Sequence, residues 1–236
     1  MGRMSIYITG DIHGSISVGK RFNSKNFPVG KTLTKNDYVI IAGDFGLLWA
    51  GDREDRYWLN WLTNKPWTTL FIDGNHENFN LLEAYPVEEW KGGKIHKITP
   101  SIIHLMRGQI FELEEKKLFT FGGAASHDKP YRKVDISWWP REMPSFAEYE
   151  EGLHNLEQCS WKVDYVITHT CSADALKWLS LNFEKLNHVD KDQMHDYFNE
   201  IKGKLEYEKW FFGHFHHNQE LPEHQHLLYD DMIKLT

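Results

Sequence analysis

The segment SIYITGDIHG, residues 5–14, shows the pattern on which the fold of this chain depends. A short run of β-branched and aromatic residues ends at a glycine, and an aspartate and a histidine follow at once. Such a run is typical of a buried strand that ends in a turn. The same form, a short apolar run that ends at a glycine or another small residue and is followed by a residue able to bind metal, recurs in residues 38–46, 69–77, 164–170 and 210–217. Because ligands bind beyond the carboxyl ends of strands in open α/β sheets, five strands are predicted to carry polar side chains to one place.

The polar residues at these strand ends form one chemical set of carboxylates, an amide and imidazoles. They are Asp11, His13, Asp44, Asn75, His76, His169, His214 and His216. Oxygen and nitrogen donors without thiolate suit borderline divalent ions such as Mn, Fe, Co or Zn. In an extended segment, residues two apart point the same way, so the Asp11/His13 pair and the His214/His216 pair are each predicted to serve one site.

The charge of such a centre predicts an anionic substrate. Two divalent ions would bring four positive charges, and Asp11 and Asp44 would cancel two of them. Paired ions also lower the pKa of a bound water toward roughly 7 and hold the oxygens of both nucleophile and substrate. Hydrolysis of a phosphate ester fits this description.

Helical patterns lie between the predicted strands. Ser145 is followed three residues later by Glu148, which is the arrangement of a capping box. The predicted helices cover residues 52–65, 145–159, 172–181 and 190–205. Residues 102–122 predict a β-hairpin that turns near Glu115 and Lys116, and residues 224–235 predict one or two closing strands. No repeat or linker divides the chain, so one domain covering residues 1–236 is predicted.

Composition restricts the class of protein. The chain has 236 residues and a net charge of -7, which argues against non-specific electrostatic binding of the nucleic acid backbone. Two cysteines cannot form a disulfide framework. No signal peptide and no apolar stretch of membrane-spanning length are recognised. We therefore expect a cytoplasmic protein with no membrane partner.

Five motifs carry a resemblance to a known family. They are GDIHG (10–14), GDFG (43–46), GNHE (74–77), THT (168–170) and GHFH (213–216). In this order, and spanning nearly the whole chain, they resemble the motifs of calcineurin-like metallophosphoesterases, here of the compact bacterial or phage type. The resemblance implies an α/β fold, a four-layer α/β/β/α sandwich of two mixed β-sheets flanked by helices.

The resemblance also implies a role for each matching residue. Asp11, His13 and His216 would hold one metal ion. Asn75, His169 and His214 would hold the other, and Asp44 would bridge the two. His76 would contact the phosphate and protonate the leaving alkoxide as general acid, while a hydroxide between the ions attacks phosphorus directly. The implied cofactor is a pair of divalent ions, manganese first, with iron, cobalt, nickel or zinc as alternatives.

The chain departs from one branch of this family. Protein Ser/Thr phosphatases carry an Asp-Arg pair three and four residues after the bridging aspartate, where this chain has Leu47 and Leu48. A phosphoprotein phosphatase is therefore disfavoured. Arg53, Arg56 or Arg132 is a candidate for the missing phosphate-binding cation.

Residues 122–144 are the candidate segment for substrate recognition, because they are too long for a simple connection. Within it, His127, Asp128 and Arg132 are candidate substrate-binding residues. Trp138 and Trp139 either stack on a nucleotide or pack as a cap over the core. Three acidic residues are candidates for orienting a site histidine: Asp73, Glu77 and Asp128.

The predicted activity is a binuclear metal-dependent phosphoesterase, with small phosphomonoesters or nucleotides as the favoured substrates. A phosphodiesterase or nuclease using the same site is the alternative, and nucleic acid is not the favoured partner. A non-catalytic scaffold with the same fold is a lesser alternative. Such scaffolds lose ligands or the acid histidine, and this chain keeps all eight residues. The sequence leaves the oligomeric state open.

Overall fold

The computed structural model describes residues 4–235, which contain thirteen strands and six α-helices. The strands are β1 (Ile6–Thr9), β2 (Tyr38–Ile41), β3 (Thr68–Phe71), β4 (Val87–Trp90), β5 (Gly93–Thr99), β6 (Ile102–Leu105), β7 (Gln109–Leu113), β8 (Lys116–Phe121), β9 (Tyr165–Thr168), β10 (Lys209–Phe212), β11 (Gln219–Leu221), β12 (Gln225–Leu227) and β13 (Ile233–Lys234). The helices are α1 (Val18–Arg21), α2 (Arg53–Thr63), α3 (Phe79–Leu82), α4 (Phe146–Gln158), α5 (Ala173–Asn182) and α6 (Gln193–Lys202).

The strands form two mixed sheets. The first has seven strands in the order β13-β1-β2-β3-β6-β5-β4, and the second has six in the order β11-β12-β10-β9-β8-β7. In the first sheet β1, β2, β3 and β6 run parallel. In the second, β8, β9, β10 and β12 run parallel. The carboxyl ends of each parallel set therefore share one edge of their sheet.

Alternating side chains hold the two sheets together. Ile40 of β2 packs in a central core that also contains Ile167 of β9 and Phe211 of β10. Its neighbours Val39 and Ile41 point the opposite way, into the core beneath α2. Since successive side chains of a strand alternate between faces, an uninterrupted apolar strand fills two cores at once. The first sheet thus lies between the second sheet and one helical layer.

The outer helices complete a four-layer arrangement, as predicted. Leu59 and Leu62 of α2 pack on the first sheet. Helices α4, α5 and α6 cover the second sheet, through residues such as Leu156, Leu179 and Phe198. The predicted capping box at the start of α4 is present, with Ser145 and Glu148 bonded reciprocally. All four predicted helices form, each within the predicted residues or one beyond them.

One predicted element is wrong in part. Residues 102–122 do not form a single hairpin, because β6 pairs in parallel with β3 of the first sheet. The hairpin is confined to β7 and β8, with its turn at Glu114 and Glu115. Gly108, which has a left-handed φ of 71°, lies where the chain turns from one sheet to the other. The β4–β5 hairpin was not predicted from the sequence at all.

The helices of residues 4–235 are short. The longest has 13 residues, and none combines the length and the hydrophobicity needed to cross a membrane.

Candidate metal centre

Polar side chains from the loops after five strands meet at the carboxyl ends of the two sheets. The loops after β1, β2 and β3 bring residues from the first sheet, and the loops after β9 and β10 bring residues from the second. Three of these strands run parallel in one sheet and two in the other, so their carboxyl ends converge. This is the convergence that the recurring sequence pattern predicts.

One half of the cluster contains Asp11, His13, Asp44 and His216. One potential ligand atom from each lies within 4.8 Å of the others. His13 Nε2 is 2.9 Å from His216 Nε2, and His216 Nε2 is 3.3 Å from Asp11 Oδ2. His13 Nδ1 lies 3.6 Å from Asp44 Oδ2. Two carboxylates and two imidazoles therefore face a common point.

The other half contains Asn75, His169 and His214, joined to the first half by Asp44. His169 Nε2 is 3.2 Å from Asp44 Oδ1 and 3.2 Å from Asn75 Oδ1. The rings of His169 and His214 have centroids 5.3 Å apart. Asp44 thus turns one carboxylate oxygen to each half.

The backbone at this cluster is not extended. His13, Asp44, His214 and His216 have φ between 46° and 71°, the left-handed region that non-glycine residues seldom adopt. The extended geometry assumed for both pairs is therefore wrong, although Asp11 and His13 still lie in the same half of the cluster. Turns at the strand ends aim the side chains instead, and such local strain is characteristic of functional sites.

Two motif glycines allow the loops to approach one another. A Cβ atom on Gly74 would overlap the carboxylate and backbone nitrogen of Asp44, and a Cβ atom on Gly43 would overlap the ring of His169. Glycine at these positions is a condition for assembling the cluster.

The charges of the cluster favour a bound cation. Asp11 and Asp44 are 0% and 1% exposed, and within residues 4–235 neither forms an ion pair with a lysine or arginine. Burial raises the pKa of Asp44, but attraction to His169 outweighs it and holds the pKa well below its usual range. Burial in turn lowers the pKa of His169, and attraction to Asp44 outweighs it and raises the pKa to about 10. Buried carboxylates of this kind are paired or bind metal.

Hydrogen bonds fix which atoms face the centre. His169 Nδ1 lies 2.8 Å from the carbonyl oxygen of Ala42 and donates to it, so Nε2 is the ring nitrogen that faces Asp44 and Asn75. Asn75 Nδ2 donates to Ser126 Oγ at 3.1 Å, which turns Oδ1 of the amide toward His169 Nε2. Oxygen and nitrogen donors so oriented fit divalent ions.

His76 borders the cluster and is covered by an arginine. Its backbone N–H donates to Asp44 Oδ1 at 2.8 Å, and its ring lies 5.1 Å from that of His13. The guanidinium nitrogens of Arg132 lie 3.4 Å from both ring nitrogens of His76. Arg132 is itself paired with Asp128, Nε to Oδ1, at 2.7 Å. Burial lowers the pKa of His76; Asp44 opposes this shift and Arg132 adds to it.

The candidate recognition segment, residues 122–144, reaches the cluster. The ring of His127 lies 5.6 Å from that of His214. Trp139 is 1% exposed and packs edge-on against Trp49, so the packing interpretation is confirmed for it and nucleotide stacking is wrong. Trp138 is half-buried beside Lys129.

Of the three arginine candidates, Arg132 is the one that the structure brings to His76. Arg53 lies in the first turn of α2, and Arg56 donates to the carbonyl oxygen of Gly51. Leu47 and Leu48 are buried beneath α2, so the positions of the missing Asp-Arg pair serve packing.

Of the three candidates for orienting a site histidine, Asp128 holds Arg132 beside His76, and the other two act elsewhere. Glu77 accepts hydrogen bonds from the backbone N–H groups of Phe45 and Gly46 and so holds the loop that carries Asp44. Asp73 binds His104 and the buried Arg107, both outside the cluster. Arg107 was not found by sequence reasoning, since a single arginine after a strand carries no local signal.

A cluster of potential metal ligands at the strand ends of an α/β/β/α sandwich is the arrangement of the metallophosphoesterase fold. The chain belongs to the calcineurin-like phosphoesterase family, whose family model matches residues 4–218. This family is metal-dependent, and membership implies a phosphoester hydrolase that acts on a phosphorylated substrate. A comparison with curated proteins found no match.

Proposed function

We propose that this protein is a binuclear metal-dependent phosphoesterase that favours small phosphomonoesters or nucleotides. One observation carries the proposal: ligand-type side chains from the two sheets converge on a point beside His76 and Arg132. Asp11, His13 and His216 are proposed to hold one ion. Asn75, His169 and His214 are proposed to hold the second, with Asp44 bridging. Bound there, divalent ions would neutralise phosphate oxygens and activate the attacking water.

The protein residues around the ions are proposed to bind phosphate and move one proton. Arg132, held by Asp128, supplies the cation that the Leu47/Leu48 positions lack. A phosphate group that enters beside Arg132 brings negative charge to His76, which favours the protonated imidazole. His76 then donates this proton to the leaving alkoxide as general acid. His127, near His214, is a further candidate contact.

Manganese, the single domain and the cytoplasmic location stay predictions. A phosphodiesterase or nuclease is the alternative that the same residues allow. Turnover of 4-nitrophenyl phosphate and of bis(4-nitrophenyl) phosphate with manganese distinguishes mono- from diesterase activity. Faster turnover of the monoester is expected, and cleavage of single- or double-stranded nucleic acid is not. A protein that binds manganese and hydrolyses none of these substrates is a scaffold.

Two variants test the assigned roles. His76→Ala is expected to retain both metal ions and lose most turnover, because the ring is proposed to donate a proton without binding metal. Asp44→Ala is expected to lose metal, because both ions lose a ligand. Metal content is measured by elemental analysis after gel filtration. A His76→Ala protein stripped of metal, or an Asp44→Ala protein with both ions, contradicts the assignment.

A further inference from the structure

A cavity of about 320 Å³ lies directly beside the proposed catalytic residue. His13 and His76 line one part of it. Ser15 and Ile16 of the 3-10 helix after β1, together with residues of the segment 46–58, form the rest. Its volume is at the lower end of the range of roughly 300–1,000 Å³ that is typical of ligand pockets. The cavity therefore suits a small organic group and not a length of polymer.

We propose that this cavity receives the alcohol half of the phosphoester, and that this alcohol is neutral or cationic and not anionic. The proposal rests on the proposed function. A general acid must lie within hydrogen-bonding reach of the leaving oxygen. Since His76 is the proposed acid and also lines the cavity, the leaving alcohol lies next to His76 and extends into this space.

About half of the cavity wall is apolar, and much of this part is aromatic. Leu47, Trp49 and Trp58 contribute to it. Neighbouring rings hold both indoles in place: Trp139 lies 5.5 Å from Trp49, and Trp61 lies 5.3 Å from Trp58. Aromatic faces bind alkyl groups by burial and organic cations through the ring quadrupole.

The charged groups that line the cavity are all acidic: Asp52, Glu54 and Asp55, with no lysine or arginine among the lining residues. Asp52 caps α2, and Asp55 accepts three backbone N–H groups, from residues 49 to 51. Glu54 is exposed at the cavity, so its carboxylate is available to a ligand. A second phosphate or a carboxylate on the leaving group would be repelled here, whereas an ammonium group would be attracted.

Three phosphomonoesters of similar size test this preference. They are choline phosphate, its uncharged isostere 3,3-dimethylbutyl phosphate, and the phosphate ester of 3-hydroxypropanoate. With manganese, kcat/KM is expected to be highest for choline phosphate and at least about tenfold lower for the carboxylate ester. Glu54→Gln should reduce the ratio between these two esters about two- to fivefold, the range of one exposed charge interaction. Glu157→Gln, on the outer face of α4, is the matched control and should leave the ratio unchanged.

The outcomes separate this proposal from the proposed function. If the protein binds manganese and hydrolyses no phosphoester, both fail. If the protein hydrolyses the carboxylate ester as fast as choline phosphate, the cavity proposal is wrong and the proposed function stands. The same conclusion follows if neither Glu54→Gln nor Trp58→Leu changes the ratio of kcat/KM between these two esters. Trp58→Leu is expected to reduce kcat/KM for choline phosphate more than for the carboxylate ester.

A second observation, independent of the cavity, concerns a buried chain of hydrogen bonds behind Asn75. Glu142 is 0% exposed, and it accepts from the N–H of Ser126 at 2.9 Å and from Ser126 Oγ at 2.5 Å. Lys129 neutralises it at 3.0 Å. Ser126 Oγ in turn accepts from Asn75 Nδ2 at 3.1 Å.

From this chain we infer that Ser126 and Glu142 are positioning residues for metal binding. Because the hydroxyl proton of Ser126 goes to Glu142, its oxygen can only accept from Asn75. The amide of Asn75 must therefore keep Nδ2 toward Ser126 and Oδ1 toward His169. A flipped amide would place a donor where a metal ligand is needed. Partners of this kind typically contribute 10- to 100-fold to metal affinity.

Manganese binding to Ser126→Ala tests this role without an activity assay. Calorimetry and electron paramagnetic resonance are expected to show that Ser126→Ala binds one of its two manganese ions about 10- to 100-fold more weakly than the wild type does. Ser126→Thr keeps the hydroxyl and should restore the wild-type affinity. Ser180→Ala, whose hydroxyl bonds only to carbonyl oxygens of its own region, is the control. Equal affinities in Ser126→Ala and wild type would overturn the inference. Wild-type protein that binds no manganese would overturn the proposed function as well.

Discussion

Replacing Arg107 by methionine is expected to lower the free energy of unfolding by about 4 kcal/mol. Arg107 is 6% exposed, and its guanidinium binds Asp73 Oδ2 through Nε at 2.9 Å and Nη2 at 2.6 Å. Two unit charges about 4 Å apart interact by about 4 kcal/mol at an effective dielectric constant of about 20. Removing one partner of a buried pair costs a similar roughly 3–5 kcal/mol, because the other charge is left without compensation.

The pKa of Asp73 reflects the same attraction. Burial raises the pKa of Asp73, but attraction to Arg107 and a hydrogen bond from His104 outweigh it and hold the pKa well below its usual range. In the variant, His104 alone remains as a side-chain partner, at 3.1 Å. Replacing Asp73 by asparagine in the same protein removes the orphaned charge. The double variant should therefore be more stable than Arg107→Met alone.

Urea unfolding followed by circular dichroism measures these differences, with EDTA present so that metal binding does not contribute. Lys162→Met is the matched control, since Lys162 pairs with Glu206 at the surface and should change the midpoint far less. A loss below about 1 kcal/mol for Arg107→Met, or a double variant no more stable than the single one, would refute the reasoning.

Three further predictions follow from the geometry. Burial lowers the pKa of His96 to about 4, so the unfolded state binds a proton that the folded state excludes between about pH 6.5 and pH 4. The stability contributed by neutral His96 is therefore complete above pH 6.5 and is lost as the pH drops toward 4. The melting temperature of His96→Asn should decrease less steeply over this pH range than that of the wild type. Gly74→Ala should lower the free energy of unfolding by about 1–3 kcal/mol, measured with urea, and should lose bound metal, measured by elemental analysis. Gly203→Ala is the control and should behave as wild type, because no atom lies nearer than 3.5 Å to its added Cβ. Manganese should raise the melting temperature, and EDTA should reverse this; an unchanged value would contradict the metal centre.

The sequence determined the parts of the protein that depend on local pattern. A buried strand is a short apolar or β-branched run that ends at a glycine or another small residue, so β1, β2, β3, β9 and β10 could be located together with the residues that follow them. The kind of ligand is also a local property, since Asp11 or His169 carries its donor atoms wherever the fold places it. Five such motifs in order were enough to identify the family.

Residues whose roles depend on distant contacts could be placed only by the tertiary structure. Arg132 lies 56 positions from His76, and Arg107 lies 34 from Asp73, so no spacing along the chain relates either pair. Glu142 is an ordinary acidic residue in the sequence, and its burial beside Ser126 depends on how residues 122–144 fold back.

The left-handed turns at His13, Asp44, His214 and His216 belong with these contacts, because packing and hydrogen bonding hold a backbone conformation that local preference disfavours. The candidate ligand residues can thus be identified from the sequence alone. The directions in which they point, and the groups that hold them there, follow from residues brought together by folding.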